Sequence, residues 1–168
     1  MGLFITATLT MIENNYRGYS AIGLHRPKTH HNVGSVLRAA GCYGASLVCL
    51  TGARFQKSCT DTQKQQRHTP LIRCDNLRDV IPYGAVPIAV DLIDGAIPLP
   101  DYKHPERAFY IFGPEDGTLG HAVTDWCRDV IYVPTRYCMN LAATVNVVFY
   151  DRMAKRGERA ARFAELTP

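Results

Sequence analysis

Short apolar runs alternate with amphipathic stretches along the chain. Residues 3–12 are rich in Thr, Ile and Leu and predict a strand, and the apolar residues 20–24 predict a second strand that stops before a proline. Residues 30–44 carry apolar side chains at helical spacing and end in glycine, and residues 46–50 predict the next strand. This strand, helix, strand order predicts a parallel sheet whose strands are joined by crossover helices.

The second half of the chain continues this alternation. Residues 86–92, 108–112 and 131–133 are apolar and predict three further buried strands. The polar, basic stretch 51–70 has no clear period and predicts a surface loop or a short helix. From residue 140 or 141 to about residue 163 the pattern is first apolar and then amphipathic, which predicts a C-terminal helix. We therefore expect the α/β class, with a mostly parallel sheet flanked by helices.

The composition is that of an ordinary globular protein, since 46% of the 168 residues are hydrophobic and 20% are charged. This length predicts a single domain spanning residues 1–168. No apolar run is long enough to cross a membrane, and residues 3–12 lack the features of a signal peptide, so we expect a cytoplasmic protein. The 6 cysteines are scattered without metal-ligand spacing, which predicts reduced thiols and no metal site. A formal net charge of +4 is compatible with an anionic partner but does not identify one.

Three segments that follow predicted strands carry polar residues where a loop or helix begins. They are residues 32–38 (NVGSVLR), 110–117 (YIFGPEDG) and 133–142 (VPTRYCMNLA). In an open α/β sheet, ligands bind beyond the carboxyl ends of the strands, so these segments are candidates for a binding site. Each also has a purely structural interpretation, because Asn32 and Asn140 are good helix N-caps and the second segment suits an exposed turn.

Taken together, the three segments resemble the three motifs of the SpoU/TrmH branch of the SPOUT superfamily. Their patterns are N-x-G-x-x-x-R, F-G-P-E-D-G, and a strand ending in proline that leads to M-N-L. The resemblance covers roughly residues 20–155. Members of this branch are S-adenosylmethionine-dependent RNA 2′-O-ribose methyltransferases. The resemblance implies an α/β fold with a C-terminal trefoil knot that forms the cofactor pocket, a homodimer, and an RNA substrate, which is commonly tRNA in the compact members.

Matched residue by residue, the resemblance also implies the composition of the site. Arg38 matches the catalytic arginine, and the other polar active-site positions are Asn32, Glu115 and Asn140. The positions implied to hold the cofactor are Val90, Gly113, Val133, Cys138, Met139 and Leu141. Because an arginine guanidinium stays protonated in proteins, both a base role and a purely electrostatic role for Arg38 remain open.

Basic residues on both sides of the first motif predict contacts with RNA phosphates. They are Arg26, Lys28, His31, Arg54, Lys57 and Arg67. Such contacts would supply salt-dependent affinity with little sequence specificity. A solvated charged loop is the alternative interpretation for each of them.

The third motif is shorter than is usual in the family, with Cys138 and Ala142 where serines are common. This departure allows a second functional hypothesis, a SPOUT-fold protein that binds RNA or cofactor with weak or no catalysis. A nucleotide-binding oxidoreductase is disfavoured because no G-x-G-x-x-G sequence follows the first strand of the sheet.

Overall fold

Parallel strands form one sheet at the centre of the molecule. The computed structural model describes residues 18–52 and 68–156, and its strands are β1 (Tyr19–Leu24), β2 (Leu47–Leu50), β3 (Leu71–Arg73), β4 (Val86–Val90), β5 (Ile97–Pro98), β6 (Arg107–Phe112) and β7 (Asp129–Tyr132). Their order is β3-β2-β1-β6-β4-β7-β5, and each neighbouring pair is parallel. The predicted α/β fold with a parallel sheet is therefore confirmed.

Helices and short 3₁₀ turns connect the strands. The helices are α1 (His30–Tyr43), α2 (His121–Thr124) and α3 (Leu141–Lys155), and the 3₁₀ turns are Leu77–Val80 and Leu99–Asp101. Helix α1 is capped at its N-terminus by Thr29, whose hydroxyl accepts a hydrogen bond from the backbone N–H of Asn32. Its C-cap is Gly44 in the left-handed conformation. Among the described residues, no helix is long and apolar enough to cross a membrane.

The two faces of the sheet are covered by different elements. Along β6, Phe109 and Ile111 point to one face, while Ala108, Tyr110 and Phe112 point to the other. Helices α1 and α3 pack on the face of Tyr110, and the 3₁₀ turn Leu77–Val80 together with α2 packs on the face of Phe109. Because both faces are buried, the central strands are apolar at successive positions instead of alternating with polar residues.

A buried polar network attaches α3 to the segment that precedes β6. His104 lies between the hydroxyl of Tyr110 (Nδ1 to Oη, 2.6 Å) and the carboxylate of Asp151 on α3 (Nε2 to Oδ2, 2.8 Å). Arg152, which is also buried, donates to the carbonyl oxygens of residues 105 and 106 and to the Tyr110 hydroxyl. Burial lowers the pKa of His104, although Asp151 opposes the shift, and burial raises the pKa of Tyr110 to about 12. Both pKa shifts favour the uncharged forms of His104 and Tyr110 near neutral pH.

The strand predictions for residues 20–24, 46–50, 86–92, 108–112 and 131–133 are confirmed to within one or two residues at each end. The sequence reasoning missed β3, β5 and α2, which are only 3, 2 and 4 residues long. Elements this short do not establish a hydrophobic period. The predicted strand 3–12, most of the loop 51–70 and the end of the predicted C-terminal helix lie outside the described residues.

Candidate active site

The carboxyl ends of β1, β4, β6 and β7 meet at one edge of the sheet, and a cavity of about 460 Å³ opens there. Its wall is formed by the segments that follow β4, β6 and β7 and by the first turn of α3. The six residues proposed to hold the cofactor all line it, namely Val90, Gly113, Val133, Cys138, Met139 and Leu141. A cavity of this volume lies in the range typical of small-molecule sites.

A chain of side-chain hydrogen bonds joins the three motif segments at the edge of this cavity. The side-chain nitrogen Nδ2 of Asn32, near the start of α1, donates to Oε1 of Glu115. Glu115 follows β6 and lines the cavity. The amide nitrogen of Asn140, which precedes α3, donates to Oδ1 of Asn32 at 3.1 Å. The other oxygen of Glu115 accepts from the backbone N–H of Lys28 at 3.0 Å. Residues that are 83 and 108 positions apart in sequence are thus brought into direct contact.

The direction of these hydrogen bonds defines what each group does. Glu115 accepts two N–H donors, so its carboxylate acts as a fixed acceptor that orients Asn32. Asn140 is used twice, because its Oδ1 also accepts from the backbone N–H groups of Ala142 (2.9 Å) and Ala143 (3.4 Å) and so caps α3. The structural interpretation of Asn140 as a cap is correct, and the same side chain contacts Asn32 at the edge of the cavity. The corresponding interpretation of Asn32 is wrong, since Thr29 is the N-cap of α1.

The loop between β1 and α1 is held in a strained conformation. Arg26 has a φ of 51°, in the left-handed region that residues other than glycine rarely adopt. Its backbone N–H donates to the hydroxyl of Thr51, which follows β2, at 3.2 Å. Gly52 lies so close that a Cβ there would be 2.9 Å from Cγ of Arg26. His25 extends the pairing of β1 by donating its N–H to the carbonyl of Phe112, and burial, aided by the charge of Arg26, lowers the pKa of His25.

Arg38 lies on a different face of α1 from Asn32. It is exposed on α1 and is not among the residues that line the cavity. Six positions separate it from Asn32, which at 100° per residue places the two side chains about 120° apart around the helix axis. The two side chains therefore leave α1 in different directions.

The basic residues proposed to contact RNA fall into two groups. Arg26, Lys28 and His31 are exposed in the β1–α1 loop and the first turn of α1, beside the motif chain. The ammonium of Lys28 lies 3.2 Å from the carboxylate of Asp116. The remaining candidates, Arg54, Lys57 and Arg67, lie outside the described residues.

Several residues of the cavity wall were missed by sequence reasoning. They include Asp91, which follows β4, the exposed Arg136 and Tyr137 of the third motif, and Thr144 on α3. Asp91 lies near the end of the predicted strand 86–92, and a carboxylate at that position was the available signal. In residues 18–52 and 68–156, no group of three or more His, Cys, Asp or Glu side chains is arranged to hold a metal ion.

The fold matches that of solved SpoU and TrmH-type structures. The chain belongs to the SpoU rRNA Methylase family, whose model matches residues 20–150. This confirms the family predicted from the three motifs. No protein of curated function matches the chain by sequence.

Solved structures show the same fold at low sequence identity. The SpoU methyltransferase AviRb from Streptomyces viridochromogenes is 18% identical, with a TM-score of 0.75 over 84% of this chain and 61% of that chain, and a second structure of that protein contains the cofactor AdoMet. A TrmH/SpoU tRNA modifying enzyme from A. aeolicus is 15% identical, with a TM-score of 0.74 over 86% of this chain and 79% of that one.

A third structure, described as giving insights into the 2-OH methylation of C/U34 on tRNA, is 23% identical, with a TM-score of 0.72 over 84% of this chain and 99% of that one. The chain thus spans only about three fifths of AviRb, but nearly all of this shorter neighbour.

Proposed function

We propose that the protein transfers a methyl group from S-adenosylmethionine to a ribose 2′-hydroxyl of RNA, with tRNA as the substrate. The observation that carries this proposal is the hydrogen-bonded chain of Glu115, Asn32 and Asn140 at the edge of a cavity lined by all six residues expected to hold the cofactor. The length match to the neighbour concerned with tRNA 2-OH methylation supports the choice of RNA.

The cavity has the chemistry that this cofactor needs. Apolar side chains, such as those of Val90, Phe112 and Leu141, suit the adenine ring, while the backbone around Gly113 and Met139 offers polar groups. When bound, S-adenosylmethionine supplies a methyl group on a cationic sulfur. The ribose oxygen accepts this methyl group and loses its proton, and S-adenosylhomocysteine leaves. The work of the protein is then mainly to place that hydroxyl in line with the methyl group.

In this proposal the polar chain holds the substrate side of the site. The side-chain amides of Asn32 and Asn140 have fixed orientations. Asn32 donates to the carboxylate of Glu115, which can only accept, and Asn140 donates to Oδ1 of Asn32. Exposed Arg26, Lys28 and His31 would contact the RNA phosphates. Replacing Arg26 and Lys28 by alanine should lower RNA affinity and flatten its salt dependence, while cofactor affinity is unchanged.

We also propose that the working unit is a homodimer in which Arg38 of each copy serves the cavity of the other. Arg38 lies on the exposed side of α1, outside its own cavity. Tyr150 of α3 is 50% exposed and lies near Tyr43 of α1, so it offers an exposed aromatic side chain for association beside α1. We expect a mass of twice 18.7 kDa by light scattering.

A complementation experiment tests the roles of Arg38 and Asn140 together. Arg38→Ala should abolish methyl transfer and leave S-adenosylhomocysteine binding intact, and Asn140→Ala should also be inactive. Mixed dimers of the two variants contain one complete site if Arg38 acts across the interface, so co-refolding them should restore part of the activity. No restoration, with dimers present, would show that Arg38 acts within its own chain. Full activity of Arg38→Ala would exclude a catalytic role.

The second candidate function is a SPOUT-fold protein that binds cofactor and RNA without efficient catalysis. The short third motif, with an exposed Cys138 in the cavity wall, is the observation that favours it. Tritiated methyl transfer to bulk RNA separates the two, because only an enzyme incorporates label. Mass spectrometry of digested tRNA and rRNA from a knockout strain would then identify the missing 2′-O-methyl nucleoside. Loss of a base-methylated nucleoside instead would contradict ribose methylation.

A further inference from the structure

Asp91 places a carboxylate in the cavity wall at a position that the three motifs do not include. It follows β4 directly, lies between Val90 and Leu92, and is partly buried. Its Oδ2 accepts from the backbone N–H of Leu119 at 2.7 Å, and its Oδ1 accepts from the N–H of Leu92 at 2.8 Å. Its own N–H donates to the carbonyl of Ile131 in β7 at 2.9 Å. The carboxylate is therefore held in one orientation at the cavity wall.

The neighbouring charges make this carboxylate important for the electrostatics of the cavity. The charged residues of the wall are Asp91, Glu115 and Arg136, which sum to a formal charge of −1. Glu115 already accepts from Asn32 and from the backbone of Lys28. Arg136 is exposed to solvent, which screens its charge more effectively than that of the partly buried Asp91.

We propose that Asp91 is a specificity-determining residue that makes the cavity prefer the cationic methyl donor over the neutral product. This inference rests on the proposed function. S-adenosylmethionine and S-adenosylhomocysteine share their adenosine and amino-acid parts, and only the former carries the positive sulfonium. A fixed negative charge in the wall attracts that cation and has no such interaction with the thioether.

The proposal has a kinetic consequence, because the positive charge on sulfur disappears as the methyl group leaves. Asp91 stabilises the bound cation at least as much as the transition state, in which that charge is already reduced. Removing the carboxylate should therefore raise KM for S-adenosylmethionine without lowering kcat. It should also make the enzyme relatively more sensitive to inhibition by its product.

The test compares three ligands by calorimetry: S-adenosylmethionine, S-adenosylhomocysteine, and sinefungin, in which a carbon bearing a protonated amine replaces the sulfonium. For Asp91→Asn we expect the affinity for both cationic ligands to fall about tenfold, as for loss of one nearby charge in a partly screened site. The affinity for S-adenosylhomocysteine should change by less than about threefold. Asp94→Asn removes the same charge from an exposed position outside the cavity wall, and should leave all three affinities unchanged.

A second variant covers a folding defect, since Asp91 also holds the backbone of Leu119. Asp91→Glu keeps the charge and moves it, so it should weaken all three ligands while retaining the preference for the cations. An equal loss for all three ligands in Asp91→Asn, or loss of the preference in Asp91→Glu, would overturn the inference. If the wild-type protein binds none of the three, the proposed function fails as well. If it binds them and Asp91→Asn keeps the wild-type preference, only the role of Asp91 fails.

Discussion

Asn140 offers the sharpest test of how the site is built, because one side chain has two separable jobs. Its Oδ1 caps α3 through the backbone N–H groups of Ala142 and Ala143, and its Nδ2 donates to Asn32. Asn140→Ala removes both functions. Asn140→Asp keeps the oxygen that caps the helix and removes the donor to Asn32.

The expected cost of Asn140→Ala follows from these contacts. Loss of an N-cap costs about 1 kcal/mol of folding free energy. Loss of the hydrogen bond leaves Oδ1 of Asn32, a residue only 8% exposed, without this donor, which costs about 1 kcal/mol more. A total of about 2 kcal/mol corresponds to a fall in Tm of roughly 4–8 °C for a chain of this length.

Asn140→Asp should behave differently in stability and alike in activity. The aspartate still caps α3, and its negative charge is favourable at a helix N-terminus by about 0.5 kcal/mol. A carboxylate oxygen of the new aspartate then faces Oδ1 of Asn32, and this repulsion offsets the gain at the helix N-terminus. The free energy of unfolding should therefore remain within about 1 kcal/mol of the wild-type value. Methyl transfer should be lost in both variants, since both lack the amide donor to Oδ1 of Asn32.

Urea unfolding followed by circular dichroism, together with methyl transfer to bulk tRNA, measures the two effects separately. S-adenosylhomocysteine affinity shows whether the cavity survives. Equal destabilisation by alanine and aspartate would refute the capping argument. Wild-type activity of Asn140→Asp would refute the argument that the amide donor orients Asn32.

Three further predictions concern other parts of the molecule. Gly52→Ala should destabilise the protein by about 1–2 kcal/mol in thermal unfolding, because its φ of 57° is left-handed and the new Cβ meets Arg26; an unchanged Tm would contradict the close contact. Burial lowers the pKa of His104, so the unfolded chain binds a proton on this residue more readily than the folded chain. The stability due to neutral His104 should therefore be lost as the pH falls below about 6.5 towards the folded pKa. His104→Gln should flatten this pH dependence of urea unfolding, and an unaltered profile would contradict the role of His104. Bound S-adenosylhomocysteine should slow alkylation of Cys138 in the cavity wall, as measured by peptide mass spectrometry. The exposed Cys42 is the control, and its alkylation rate should not change. Equal protection of both cysteines would indicate a global effect.

The sequence was sufficient to predict the central strands for a physical reason, and the family resemblance supplied six residues that line the cavity. Strands buried on both faces are apolar throughout, and glycine, proline and asparagine mark the points where the chain leaves them. The residues that follow such strands must lie at one edge of a parallel sheet, which is why Val90, Gly113 and Val133 share a cavity.

The individual contacts could not be predicted in this way. That Glu115 accepts from both Asn32 and the backbone of Lys28 depends on loop conformations in which residues distant in sequence meet. The strained φ of Arg26 depends on its contact with Thr51 and Gly52 and has no signal in composition or periodicity. Helical geometry predicts the face of α1 on which Arg38 lies. Only the motif match predicts that Arg38 belongs to the site.

The hydrogen bond between Asn32 and Asn140 spans 108 positions, most of the length of the chain. Closing a loop of this length costs conformational entropy, and contacts of this kind slow folding. The edge of the sheet that carries the cavity is therefore joined by residues from distant parts of the chain. A ligand that binds only the completed cavity would stabilise the folded molecule over partly folded forms by mass action.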